Sequence, residues 1–220
     1  SLIAELCQQT DRPLLHRAAQ GQYPLGSVFK IITMAAGMES GLFVAETEYD
    51  CQYAWTRLPD RIRYDWTYQH CQDRLAAGQE CNTSDSMPSG LLTLSESLMR
   101  SCNPFFWEVG YTLYYNDRPN DIANMARAFG LGQPTGIGQI EEAAGQITDP
   151  PTDIDMVNQS IGQGDVLVTP LQVASFMAAL ANGGTLYRPQ LVERLEPVDG
   201  GLATQVFKPE ARGTLPLQPF

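Results

Sequence analysis

Tyr23-Pro24-Leu25-Gly26-Ser27-Val28-Phe29-Lys30 decides how this chain reads. Apolar residues recur at Val28, Ile31, Ile32, Ala35 and Met38, three and four apart, so a helix with a buried stripe is expected to open at Ser27 and end near Gly41. Ser27 and Lys30 then share one face. A serine hydroxyl needs a base to be nucleophilic near neutral pH. A lysine serves only if its ammonium is destabilised by burial, by nearby positive charge or by the positive end of a helix dipole. With eleven serines and two lysines in 220 residues, one chance Ser-x-x-Lys match is roughly a one-in-ten event, so the pair draws its weight from context.

The context is Leu98-Met99-Arg100-Ser101-Cys102-Asn103-Pro104-Phe105-Phe106, which joins two helical patterns and places a hydroxyl and an amide on the connecting turn. Together the two stretches resemble the penicillin-binding protein transpeptidase family, relatives of the serine β-lactamases, whose signatures are Ser-x-x-Lys, Ser-x-Asn and Lys-Thr-Gly. The resemblance continues, in the family's order, through Thr10 to Ala18, Ile161-Gly162-Gln163-Gly164, Thr169-Pro170-Leu171-Gln172, Ala181-Asn182-Gly183-Gly184 and Arg188-Pro189. It covers most of the chain and is closer to the class B, monofunctional enzymes than to the bifunctional ones.

The departure is the third signature. Neither lysine opens a Lys-Thr-Gly: Lys30 precedes Ile31 and Lys208 precedes Pro209, while Arg212-Gly213-Thr214 has the wrong order. The resemblance implies an α/β fold of the D,D-transpeptidase/β-lactamase type. Residues 1–220 are expected to form part of such a domain, predominantly α-helical with few short strands and without the C-terminal sheet.

What the resemblance implies about activity is acyl transfer through a serine acyl-enzyme. Ser27 would attack the carbonyl of a terminal D-Ala-D-Ala peptide bond with Lys30 as base, and an amine on a neighbouring peptidoglycan strand would resolve the ester. Ser101 would relay a proton toward the leaving amine, and Asn103 would hold a substrate amide or steady Lys30. The Ser27 N–H would supply half of an oxyanion hole. Gly162, Gln163 and Gly164 are the expected substrate-side turn, read on its own residues as a tight backbone approach beside the site. The implied partners are peptidoglycan stem peptides, β-lactam antibiotics that acylate the same serine, and other cell-wall synthesis proteins. The implied address is the extracytoplasmic face of a bacterial envelope, with any membrane anchor outside these residues. No cofactor is expected.

Composition agrees with a globular piece, at 43% hydrophobic. A formal charge of −11, from 14 Lys and Arg against 25 Asp and Glu, argues against nucleic acid or an anionic membrane surface as partner. The sequence has no run of eighteen apolar residues and no signal-peptide pattern at Ser1. Cys7, Cys51, Cys71, Cys81 and Cys102 form no Cys-x-x-Cys pair and have only His16 and His70 to help, so no zinc site is expected. The family's extracytoplasmic address permits a disulfide among Cys51, Cys71 and Cys81, with the pairing open. Cys102 is expected to be a small buried residue.

Along the chain, residues 1–22 read as an irregular lead-in with a short helix over Leu2 to Gln9, and Ala45 to Gly90 as a loop-rich insertion anchored by Tyr53, Trp55, Tyr64, Trp66 and Tyr68. Thr93-Leu94-Ser95-Glu96 is a capping box for a helix to about Arg100. Asn103-Pro104 is expected to cap and open the next, which carries Phe105, Phe106, Val109 and Leu113 inward to about Asn116. Further helices are expected over Asn120 to Phe129 and, with Thr169-Pro170-Leu171-Gln172 repeating the capping logic, from Thr169 to before Asn182; a turn region is expected at Gly130 to Gly138 and a strand or two after Thr185.

Each assignment has a plainer rival. Ser27, Ser101 and Asn103 could be helix caps and Lys30 a solvated side chain. Three functions compete: a D,D-transpeptidase or carboxypeptidase, a serine β-lactamase or β-lactam sensor, and a non-catalytic scaffold. The second lacks a glutamate in the Glu-x-x-Leu-Asn setting that activates deacylating water.

Overall fold

Side-chain caps open most of the helices in the computed structural model of the chain, which describes residues 6, 8–59, 61–202 and 204–218. A 3-10 turn at Gly26–Phe29 runs directly into α1 (Lys30–Glu39). Further helices among the described residues are α2 (Trp66–Ala76), α3 (Leu94–Arg100), α4 (Asn103–Tyr115), α5 (Asp121–Ala128), α6 (Asp153–Gln159) and α7 (Pro170–Ala181). Among the described residues, ten strands of two to four residues accompany them in a mixed α/β fold: β1 (Glu48–Cys51), β2 (Ala54–Trp55), β3 (Arg63–Tyr64), β4 (Gly90–Thr93), β5 (Gln146–Ile147), β6 (Val166–Leu167), β7 (Thr185–Tyr187), β8 (Arg194–Leu195), β9 (Gln205–Val206) and β10 (Ala211–Thr214). Cys7 and most of the helix expected over Leu2 to Gln9 lie outside the described residues.

Both capping boxes form. Thr93 Oγ1 accepts from the Glu96 N–H at 3.2 Å and Glu96 Oε2 accepts from the Thr93 N–H at 2.9 Å, so α3 starts where the sequence places it. Thr169 and Gln172 do the same for α7, at 3.2 and 2.8 Å. A third signal, Thr152 accepting from the Asp155 N–H at 3.3 Å, opens α6, a helix the sequence reading does not anticipate.

The chain folds as two compact units. One comprises Pro24–Ala126, Thr148–Val166 and Leu217–Phe220. Its core is the face of α4 that carries Phe105, Phe106, Val109 and Leu113, with Phe29 and Ile32 from the α1 side, Leu94 from α3 and Met156 and Val157 from α6. α1 approaches α4 closely because Gly37 has no side chain: a Cβ there would stand 3.0 Å from Val109 Cγ1. β1 and β4 pair antiparallel, from Glu48 opposite Thr93 to Cys51 opposite Gly90. That pairing returns the end of the 45–90 segment to its start and leads straight into α3.

The buried stripe of α1 differs from the expected one. Val28 is 42% exposed, whereas Phe29, Ile32, Thr33 and Ala36 are buried. The 3-10 start has about three residues per turn instead of 3.6, which rotates the register of the first turn relative to a uniform α-helix. The 45–90 segment also contains more regular structure than a loop, since α2 occupies eleven of its residues. Its aromatics pack on one another and on the core: Tyr64 stacks on Tyr68 at 4.2 Å, and buried Trp55 meets Trp107 at 5.9 Å and donates to Glu108 at 3.0 Å.

The other unit comprises Ser1–Tyr23, Arg127–Ile147 and Leu167–Pro216. α7 lies on β7, which pairs antiparallel with β10; β8 and β9 form a separate hairpin. Phe129 and Phe176 meet at 5.9 Å in its core, beside Leu131, Ala179 and Leu215. The lead-in is tied down by the Leu171 N–H donating to Ala18 O and the Ala143 N–H to Ala19 O, both at 2.9 Å. The glycine-rich stretch from Gly130 is the turn the sequence suggests. Its donors converge on Glu142, which accepts from the N–H groups of Thr135, Gly136 and Ile137 and from Thr135 Oγ1, at 2.6 to 3.0 Å.

Partial burial works against the charge of Glu142, but these four bonds outweigh it and hold the carboxyl below its ordinary 4.5. Because the folded value is the lower one, this stabilisation is complete above about pH 4.5 and is lost as pH falls through the folded value. Glu142→Ala should lower stability at neutral pH by roughly 2 kcal/mol, and the variant and parent should converge in acid. Urea midpoints measured against pH check both; a deficit that persists undiminished in acid contradicts the charge-based account.

Candidate active site

Ser27 sits at the second position of the 3-10 turn and is exposed, while Lys30 begins α1 and is fully buried. The first N–H groups of a helical turn have no partner within it, and the Ser27 N–H is among them. The turn is clamped from the other side. The Gly26 N–H donates to Gly162 O at 2.9 Å, and a Cβ on Gly162, whose φ is +70°, would overlap Gly26 O and stand 2.5 Å from Phe29 Cβ. Thr33 Oγ1 adds a bond to Ser160 O at 2.7 Å. The Gly162-Gln163-Gly164 turn therefore meets the serine-bearing turn backbone to backbone, which only glycine allows at residue 162. Gln163 and Gly164 are exposed.

Lys30 Nζ gathers the second motif. It donates to Ser101 O at 2.7 Å, to Ser101 Oγ at 3.1 Å and to Asn103 Oδ1 at 2.5 Å, and lies 5.4 Å from the centre of the Phe106 ring. It makes no hydrogen bond to Ser27. Lys30, Ser101 and Asn103 are thus one cluster, with Ser27 one turn away and open to solvent.

The Ser101–Asn103 turn has an unusual backbone. Ser101 ends α3 in the left-handed region, at φ 54° and ψ 35°, a conformation that costs a non-glycine residue about 1–2 kcal/mol. Asn103 does not cap α4, contrary to expectation. The cap is Cys102, whose Sγ accepts from the Phe105 N–H at 3.4 Å, and this leaves the Asn103 amide free to turn toward Lys30. Cys102 is buried as expected, but it is also joined to Cys51 in a disulfide. The second disulfide is Cys71–Cys81. Cys51 ends β1 next to β4, so the strand pairing carries it to the turn, a proximity that sequence spacing does not reveal.

Burial pulls the Lys30 amine down from 10.5 to about 7, while the negative charge of Asp65 pulls the other way. Near neutral pH the amine therefore exists in both states, and both fit the cluster. An ammonium donates to all three oxygens. A neutral amine keeps two N–H groups for the two carbonyl oxygens and turns its lone pair to a hydroxyl. Asp65 itself is buried at the start of α2, and its Oδ1 accepts from the Asn103 backbone N–H at 2.9 Å. Sequence reasoning passes over Asp65 because its signal, Asp-x-Thr before an aromatic run, reads as part of the loop-rich segment.

The family model described as penicillin binding protein transpeptidase domain matches residues 5–217. A peptidoglycan D,D-transpeptidase PbpA of Mycobacterium tuberculosis is 32% identical over 205 residues, which cover 93% of this chain and 38% of that protein. A peptidoglycan D,D-transpeptidase MrdA of Salmonella typhimurium is 28% identical over 198 residues, covering 86% of this chain and 28% of that protein. Among solved structures, the penicillin G acyl-enzyme complex of M. tuberculosis penicillin-binding protein A aligns with a TM-score of 0.75 at 27% identity, over 97% of this chain and 44% of that one. The chain thus spans less than half the length of these relatives.

The disulfides carry a prediction of their own. Cys51–Cys102 closes a 51-residue separation and Cys71–Cys81 one of 10, which in the chain-entropy model are worth about 4 and about 3 kcal/mol. Cys51→Ser with Cys102→Ser should lower the urea midpoint more than Cys71→Ser with Cys81→Ser. It should also release the left-handed Ser101, seen as altered amide signals at residues 100–104 in NMR spectra; unchanged signals there would mean that the disulfide does not hold the turn.

Proposed function

The chain belongs to the penicillin-binding protein transpeptidase family, and from that premise we propose that it carries the acylating half of a peptidoglycan D,D-transpeptidase site. The observation that carries this reading is the desolvated Lys30 amine, held by Ser101 and Asn103 one helical turn from an exposed Ser27. Relatives bearing the name peptidoglycan D,D-transpeptidase and the β-lactam acyl-enzyme structures of a neighbour support it.

In this mechanism Lys30 in its neutral form takes the Ser27 hydroxyl proton, directly or through the Ser101 hydroxyl, as Ser27 Oγ bonds to the carbonyl carbon of a terminal D-Ala-D-Ala peptide. The Ser27 N–H holds the developing oxyanion. The C–N bond then breaks, the proton on Lys30 passes through Ser101 to the leaving nitrogen, and D-alanine departs. An amine of a neighbouring stem peptide attacks the ester, gives up a proton to Lys30, and Ser27 recovers its hydrogen. A β-lactam enters by the same first step, but its amine remains tethered to the acyl group. Asn103 steadies Lys30 through Oδ1 and offers its NH2 to the substrate. The exposed Gln163 on the turn that clamps Gly26 is a further contact for substrate.

The partners on this reading are stem peptides, β-lactams and other cell-wall synthesis proteins, and the place of action is the extracytoplasmic side of the envelope. Among the described residues no helix is long and apolar enough to cross a membrane.

Intact-mass measurement of the full-length protein after incubation with penicillin should show one covalent adduct that disappears in Ser27→Ala. Lys30→Ala should slow adduct formation on the order of 10²- to 10⁴-fold, the range of a lost general base. Because the neutral amine is the competent form, the acylation rate should rise with pH and level off above about pH 7. An adduct that forms equally in Ser27→Ala would sink the assignment.

A further inference from the structure

Among the described residues, Asp65 is the buried carboxylate beside this site that the mechanism above does not use. It belongs to the 45–90 segment, outside both sequence motifs, and is 2% exposed. Its two oxygens serve two helix starts. Oδ2 accepts from Thr67 Oγ1 at 2.8 Å and from the Thr67 N–H at 3.4 Å, capping α2. Oδ1 accepts from the N–H of Asn103, the first residue of α4, at 2.9 Å. Helix N-termini leave such N–H groups without partners and carry partial positive charge, so one carboxylate placed between two of them is stabilised by both.

From Asn103 the connection runs on: its backbone is held by Asp65 while its side-chain oxygen accepts from Lys30. Among the described residues, Asp65 is the charged group that acts on the Lys30 amine. The ionisable side chains on the neighbouring helices are engaged elsewhere. Glu96 is taken by Thr93, Arg100 by Ser84 O and Ser89, Glu108 by Trp55 and Arg57, and Glu39 by the Gln218 N–H. Ser101, Asn103 and Phe106, which touch the amine, carry no charge.

We propose that Asp65 is a positioning residue for acyl transfer: its carboxylate pins the Ser101–Asn103 turn through the Asn103 N–H and supplies a buried negative charge that acts on Lys30. The inference rests on the transpeptidase reading. It assigns to the 45–90 segment a share in the chemistry as well as in folding, because position and charge are delivered by one side chain.

Substitution separates the two tasks. Asp65→Asn keeps an oxygen for the Asn103 N–H and removes the charge; Asp65→Ser removes the charge and draws the acceptor out of reach. Both replacements remain good caps for α2. The experiment measures the second-order rate of acylation by penicillin G against pH on the full-length protein, for the parent, the two variants and Ser27→Ala. In the parent the rate should rise with a midpoint near 7. With the negative charge gone the ammonium loses its support, so both variants should show the midpoint lower by roughly one pH unit. The plateau should hold within a few-fold in Asp65→Asn and fall roughly tenfold or more in Asp65→Ser, through misplacement of the turn.

Midpoints equal to the parent's in a folded variant overturn the charge role, and an unchanged plateau in Asp65→Ser overturns the positional one. Failure of both variants to fold would make Asp65 a structural residue and overturn the proposal. A parent that is not acylated, or a Ser27→Ala protein acylated like the parent, removes the transpeptidase reading instead.

Discussion

Everything near the site serves one unfavourable act, the removal of a lysine amine from water. A buried ammonium without partners is too costly to persist, and the chain meets that cost by lowering the proton affinity of Lys30 and surrounding Nζ with three oxygens. The choice of oxygens matters. Two are carbonyls, which only accept, and the third is a hydroxyl, which can reverse. Loss of a proton from Lys30 then needs no rearrangement of heavy atoms: the two carbonyls keep their N–H donors and Ser101 changes from acceptor to donor. A pocket that accommodates both protonation states suits the proton-transfer role proposed for Lys30.

Holding three oxygens around one nitrogen requires a turn that does not relax. Ser101 stays in a left-handed conformation disfavoured for serine, and Cys102 takes over the capping of α4 so that the Asn103 amide is not used for that purpose. Two ties from the 45–90 segment resist relaxation: the Cys51–Cys102 disulfide on one residue of the turn and the Asp65 carboxylate on the next. The segment is able to make them because β1 pairs with β4 and brings its beginning and end together beside α3. On the other side of Ser27, the Gly26–Gly162 contact fixes the serine-bearing turn by backbone alone, leaving the serine side chain exposed. Local strain is thus distributed among neighbours that each have independent reasons to be rigid.

Much of this was legible in the residues. The two capping boxes predicted α3 and α7 to within a residue, since a threonine with a glutamate or glutamine three positions on satisfies orphan N–H groups whatever the tertiary context. The apolar spacing of α4 named its buried face correctly, and two short motifs supplied Lys30, Ser101 and Asn103, which the structure gathers into one cluster a turn from Ser27. The buried stripe of α1 was misread because Val28 precedes the α-helix proper and the turn that contains it is wound more tightly. α2 was missed because Tyr68 packs on Tyr53 and Tyr64 and Trp66 on His70 of the same helix, which leaves no clean 3.6-residue stripe.

By itself the sequence determined the local events: which residues start and stop the helices, where glycine is required, and which serine and lysine stand a turn apart. These depend on neighbours within four or five positions. Only the tertiary structure decided that Lys30 is buried, that Cys102 finds Cys51 and that Asp65 reaches Asn103, because each joins residues 38 to 73 positions apart. Burial and charge act through space, and a chain of residues does not state which distant parts of itself will exclude water from a given amine until packing has placed them there.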